Sequence, residues 1–183
     1  MTQQKSTIPK LSLNTVSRQK YASMNIMIAE DTSQMSGLIC GILKSLGVGR
    51  IIEARSGRDA LDIMQLQAID LVLTDDLKAP MDGLALAREI RKSKTPEIST
   101  LPIIYITSKL QKSAIMTARD AGVTEILSKP FSATQMITRI EAALTHPRPI
   151  IIAEDFTGPD RRRKINERAE HRRTADKSVP TDV

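Results

Sequence analysis

Asp70-Leu-Val-Leu-Thr-Asp75-Asp76, followed by Leu77-Lys-Ala-Pro-Met-Asp-Gly83, is the stretch that decides how this chain folds. The run from Leu71 to Thr74 is apolar and β-branched, too short for a helix and without polar alternation. Such a run reads as a strand buried on both faces, the kind found in parallel sheets. It stops at two carboxylates, and a helix is expected from Gly83 through Ile90. The same phrase recurs on either side. Residues 25–29 form an apolar run ended by Glu30-Asp31. A helix over 33–46 follows, with Met35, Leu38, Ile39, Ile42, Leu43 and Leu46 at helical spacing, closed by Gly47 and Gly49.

Further strands are expected at 51–54, 102–107 and 125–128, and further helices at 58–66, 113–121 and 132–144. The polar stretch 93–101, SKTPEISTL, reads as a surface loop. Five strand–helix units in alternation predict an α/β domain with a doubly wound parallel sheet covered on both faces. Ligands of such sheets bind beyond the carboxyl ends of the strands.

Those ends carry Glu30 and Asp31 on the first strand, Asp75 on the third, Thr107-Ser108 on the fourth and Lys129-Pro130 after the fifth. Charged groups in a cleft cost desolvation unless paired, so packing alone does not call for them. Clustered carboxylates with few nitrogen or sulfur donors favour a hard divalent ion held with waters, Mg²⁺ or Mn²⁺. A carboxylate beside such an ion can attack a phosphoryl group. The three equatorial oxygens of that group need compensation, from the metal, the Lys129 ammonium and the Thr107 hydroxyl. Asp75 is the best nucleophile because it ends the central strand. Asp76 is its rival, but one step along a strand turns a side chain away from its neighbour's direction.

Residues 24–145 resemble the CheY-like receiver domain of bacterial response regulators over essentially its full length. Glu30-Asp31, Asp75, Thr107 and Lys129-Pro130 match the family's motif positions in order, and DDLKAPMDG resembles its loop after the phosphorylated aspartate. The resemblance implies a flavodoxin-like strand order 2-1-3-4-5 and phosphorylation of Asp75 by a histidine kinase, a phosphotransfer protein or a small phosphodonor. It also implies Mg²⁺ held by Glu30 and Asp31, directly or through water, by Asp75 and by the Leu77 backbone carbonyl. Thr107 and residue 126 are then the switch positions. The family usually has an aromatic residue at the latter, where this chain has Ile126. The resemblance implies that phosphorylation shifts the face formed by helix four, strand five and helix five; with Ile126 in place of a ring, output to a downstream target protein is expected through Phe131, the helix faces or the tail. In the loop, Ala79 stands where a proline is expected, and Pro80 follows it.

The chain has 183 residues and a net charge of +6, unevenly placed. Residues 1–23 carry +4, residues 24–145 are balanced, and residues 146–183 carry +2. The domain is therefore 24–145, between flexible extensions at 1–23 and 146–183. The core must be aliphatic: there is no Trp, and the rings are Tyr21, Tyr105, Phe131 and Phe156. Cys40, among Leu38, Ile39, Ile42 and Leu43, reads as a small buried residue. No disulfide framework, membrane span or secretory leader is apparent, which fits a cytoplasmic protein.

After a double-proline stop at 146–149, Ile150-Ile-Ile-Ala153 is too apolar for a free linker and is expected to dock in extended form. Then Gly158-Pro-Asp-Arg161-Arg162-Arg163-Lys164 opens a charged tail. Clustered guanidinium groups seek phosphate. The arrangement is similar to alphaproteobacterial stand-alone receivers with such a tail, and related CheY-like effectors bind cyclic di-GMP. That resemblance implies Arg161, Arg162 and Arg163 as its contacts. Nucleic acid is a weaker expectation, without a helix-turn-helix or a basic–aromatic surface. A single-domain response regulator is thus expected, with a phosphate shuttle or sink as a variant and a ligand-binding effector as the alternative. An independent phosphohydrolase is disfavoured by the missing cap and extra acid, so no enzyme in its own right is expected.

Overall fold

The computed structural model describes residues 20–77, 80–145, 149–152 and 157–160. Five parallel strands, β1 (Asn25–Ala29), β2 (Arg50–Ala54), β3 (Leu71–Thr74), β4 (Ile103–Thr107) and β5 (Glu125–Ser128), lie in the order 2-1-3-4-5. Helices α1 (Ser33–Leu46), α2 (Gly57–Leu66), α3 (Gly83–Lys92), α4 (Lys112–Asp120) and α5 (Ala133–Thr145) connect and follow them. This is the flavodoxin-like, doubly wound arrangement.

Both faces of the sheet are apolar, so each strand feeds two cores. Met27, Val72, Ile103 and Tyr105 point to the side covered by α2, α3 and α4. Ile26, Ile28, Leu71, Leu73, Ile104 and Ile106 point to the side covered by α1 and α5. The chain winds from β1 to β2 on one side and continues to β3 on the other. The crevice of the topological switch point therefore falls between the ends of β1 and β3.

Three readings of the sequence need correction. Tyr21 lies within the stretch expected to be loose, yet it is 1% exposed in the α1–α5 core, and its carbonyl accepts from Gly49 N at 2.9 Å. Leu38 was counted on the buried stripe of α1 but is 53% exposed, and Cys40 is only half-buried. The loop at 93–101 contains a helical turn, Pro96–Ser99, with proline at its start, where the missing N–H costs nothing.

That turn is held from below. Arg91 is buried, donating from Nε to Gly122 O and from Nη1 to Ser99 O, each at 2.9 Å. Burial pulls its pKa down to about 10, which leaves it charged at neutral pH. Arg91→Ala strands both carbonyls and opens a cavity, an expected loss of roughly 3 kcal/mol. Urea denaturation checks it through a lower midpoint at unchanged slope.

The segment after α5 is extended, as expected, and pairs with itself. β6 (Ile150–Ile152) and β7 (Thr157–Pro159) form an antiparallel pair, and β7 contacts α3. Gly158 and Pro159 are buried there.

Candidate functional site: the carboxyl edge of β1, β3 and β4

Asp75 follows the last residue of β3 and is 9% exposed. Three neighbours fix its carboxylate. Lys129 Nζ donates to Oδ2 at 2.6 Å, the Asp76 N–H donates to Oδ1 at 2.5 Å, and the Glu30 carboxyl stands against it. Burial alone would raise the Asp75 pKa, but the bonds from Glu30, Lys129 and the Asp76 N–H outweigh it and hold it below the ordinary value. Glu30 moves the other way, raised first by burial and then by Asp75, against the lowering effect of its bonds from Thr32. Of this pair Asp75 is therefore the stronger acid. Lys129 itself follows β5, with its N–H donating to Thr107 O at 2.9 Å and a cis bond to Pro130.

The donor set fits a hard divalent ion. The Asp75 and Glu30 carboxyls crowd together, the ammonium of Lys129 bonds Asp75, and Glu30 Oε2 is buried without a hydrogen-bond donor among the described residues. Asp31, half-buried, stands next to Glu30 at the same edge. No three His, Cys, Asp or Glu side chains among the described residues close into a ready-made cage. An ion here would thus keep waters, as Mg²⁺ does. The Leu77 side chain is buried, anchoring the backbone two residues past Asp75. Lys78 and Ala79 lie outside the described residues, as do Arg161, Arg162, Arg163 and with them the expected cyclic di-GMP contacts.

The structure separates Thr107 from Asp75. Thr107 Oγ1 donates to Asp76 Oδ2 at 3.1 Å and accepts from Lys109 N at 3.1 Å. Asp76 also accepts from the Tyr105 phenol, and Lys109 Nζ lies 3.5 Å from its Oδ1. The expectation that Asp76 turns away from its neighbour's direction holds with respect to Lys129. Its partners were not anticipated. Tyr105 and Thr107 are two apart on β4 and so share a face, the signal that could have found them.

Gly83 was read only as the start of a helix. A Cβ there would lie 1.9 Å from Asp75 O and 2.8 Å from Thr74 Oγ1, so α3 begins pressed against the Asp75 backbone. Asp82 caps α3, accepting from Ala85 N at 2.7 Å, and fixes that approach. Gly83→Ala forces backbone apart, because no flexible side chain can yield. The expected cost is roughly 2–4 kcal/mol, read by urea denaturation, together with displacement of Asp75.

A doubly wound sheet whose switch-point crevice holds a lysine-clamped aspartate beside an acidic pair defines the CheY-like class. The chain belongs to the response regulator receiver domain family, whose sequence model matches residues 26–141. It is a receiver-domain response regulator of two-component systems. It is 31% identical over 119 residues to the chemotaxis protein CheY-3 of Vibrio cholerae, covering 65% of this chain and 90% of that one. To the transcriptional regulatory protein PdtaR of Mycobacterium tuberculosis it is 32% identical over 129 residues, covering 70% and 60%. The fold matches V. cholerae CheY4 with a TM-score of 0.61 at 20% identity, over 66% of this chain and 98% of that one. It also matches a receiver domain of a Pseudomonas aeruginosa sensor histidine kinase, solved with magnesium coordinated in the active-site cleft. There the TM-score is 0.60 at 27% identity, covering 68% and 99%. No helix among the described residues is long and apolar enough to cross a membrane.

Proposed function

We propose that this chain is a cytoplasmic phosphorylation switch in which Asp75 is the phosphoacceptor. The observation that carries the reading is an anionic aspartate at the β3 edge, held by an ammonium at 2.6 Å beside an orphaned carboxylate oxygen. An Asp75 carboxylate oxygen attacks phosphorus, the bond from phosphorus to the donor breaks, and an acyl phosphate forms. The donor is a phosphohistidine of a kinase or phosphotransfer protein, or a small acyl phosphate, and it leaves with the bonding electrons. Lys129 donates to a phosphoryl oxygen as charge builds there. Glu30, Asp31, Asp75 and the Leu77 carbonyl hold Mg²⁺, which neutralises repulsion between the two anions.

Output is contact with a downstream target protein. A cleft of about 450 Å³ opens along β5 between α4 and α5, with Leu110, Ile115, Ile126, Leu127 and Arg139 among its walls. Its size and its place on the α4–β5–α5 face support that face as the target's seat. The chain is a switch and not an independent phosphohydrolase.

Acetyl phosphate and Mg²⁺ are expected to add one phosphoryl group, lost when the metal is chelated. Borohydride reduction converts the modified aspartate to homoserine, which peptide fragmentation locates. Homoserine at 75 supports the reading; homoserine at 76, or no mass gain, sinks it.

A further inference from the structure

We propose that Asp76 is a positioning residue that withholds the Thr107 hydroxyl from Asp75 until phosphorylation, with Tyr105 bound to the same carboxylate as the group that carries the change outward. This rests on Asp75 being the phosphoacceptor. A threonine hydroxyl has one proton to donate. In the unphosphorylated protein it goes to Asp76 Oδ2 at 3.1 Å, and the oxygen accepts from Lys109 N. Thr107 is 2% exposed. It cannot serve Asp76 and a phosphoryl oxygen at once, and that exclusivity makes the arrangement a two-position device.

The two acceptors are unequal once Asp75 is modified. A phosphoryl group carries close to two negative charges and three acceptor oxygens, against one charge on Asp76. It also stands one residue away from Asp76, whose N–H is already on Asp75 Oδ1. Moving the Thr107 proton to the phosphoryl group therefore gains a stronger bond, and like-charge repulsion pushes Asp76 aside.

The Tyr105 phenol loses its acceptor in the same event. Tyr105 is 5% exposed in the α2–α4 core and pairs in register with Ile126 on β5. Ile126 has no hydroxyl and lines the cleft along β5. The ring and the polar handle that residue 126 lacks thus stand on its neighbour strand, on the same face. A buried phenol deprived of its partner must find another or move.

Beryllofluoride with Mg²⁺ serves as the phosphoryl probe, applied to the full chain. Asp76→Ala is expected to raise its affinity on the order of tenfold, the worth of one charge-assisted hydrogen bond. In a Thr107→Ala background the same substitution is expected to change it less than twofold. An equal gain in both backgrounds means that Asp76 acts only by charge repulsion and overturns the proposal, as does no gain in either. A second readout needs no substitution at Asp76. The chain lacks Trp and has only Tyr21 and Tyr105, so a Tyr21→Phe protein emits from Tyr105 alone. A phenol bonded to a carboxylate is quenched, and beryllofluoride is expected to raise the emission. Unchanged emission at saturation overturns the release of Tyr105. If the probe does not bind, or binds Asp75→Asn equally, the phosphoacceptor reading fails first and this one falls with it.

Discussion

Asp75→Asn is expected to abolish modification by acetyl phosphate, whereas Asp76→Asn leaves the protein modifiable. The amide is nearly isosteric, so a change in shape cannot account for the loss. What disappears is the carboxylate anion that forms the bond to phosphorus, and no group nearby can replace it. Glu30 is unsuited, because burial first and then the Asp75 carboxyl raise its pKa above the ordinary value, and Lys129 bonds Asp75. Asp76 faces Tyr105, Thr107 and, at 3.5 Å, the exposed Lys109 ammonium rather than Lys129. A nucleophile there would lack the ammonium that Asp75 has at 2.6 Å. The substitution also relieves two crowded carboxyls, so the Asn protein is expected to melt no lower than wild type. Intact mass after acetyl phosphate treatment and a calorimetric melt together check the prediction. A modified Asp75→Asn protein would place the acceptor elsewhere.

The strands were legible because a parallel sheet covered on both faces demands continuous apolar runs, and Leu71–Thr74 and Ile103–Thr107 supply them. The acidic edge was legible for a related reason: carboxylates directly after such runs have no packing explanation. Side-chain partnerships were not. Whether Thr107 turns to Asp75 or Asp76 depends on rotamers and on Lys109, which spacing along a strand does not encode. The Pro96–Ser99 turn was hidden because four residues are too few to show a helical period, and its support comes from Arg91, which bonds Ser99 O from α3. Gly83 looked like an ordinary helix start. Its meaning is that an added Cβ would lie only 1.9 Å from Asp75 O, a consequence of tertiary packing. Tyr21 was misassigned with the polar and basic residues around it, since one ring in such a segment gives no periodicity.

Lys129→Met is expected to slow phosphorylation by acetyl phosphate about 10²–10³-fold, comparable to removing one preorganised donor from a charge-developing site. The side chains of Asp75 and Lys129 are 12% and 24% exposed, so solvent cannot replace the ammonium effectively. Met keeps the length and apolar stem, which limits the change to the charge and its hydrogen bonds. Arginine is not expected to restore the rate, because its planar fork cannot occupy the position of a compact ammonium at 2.6 Å. The same substitution separates two roles that a rate alone confuses. Lys129⁺ repels a second cation at the edge, while Glu30 and Asp75 attract one. Removing it is therefore expected to tighten Mg²⁺ binding as the rate falls. Titration of Mg²⁺ by calorimetry, beside the rate of acyl phosphate formation, checks both directions. Weaker Mg²⁺ binding together with a slower rate would mean that Lys129 holds the site's shape, and that its charge on the phosphoryl group is not what the reaction needs.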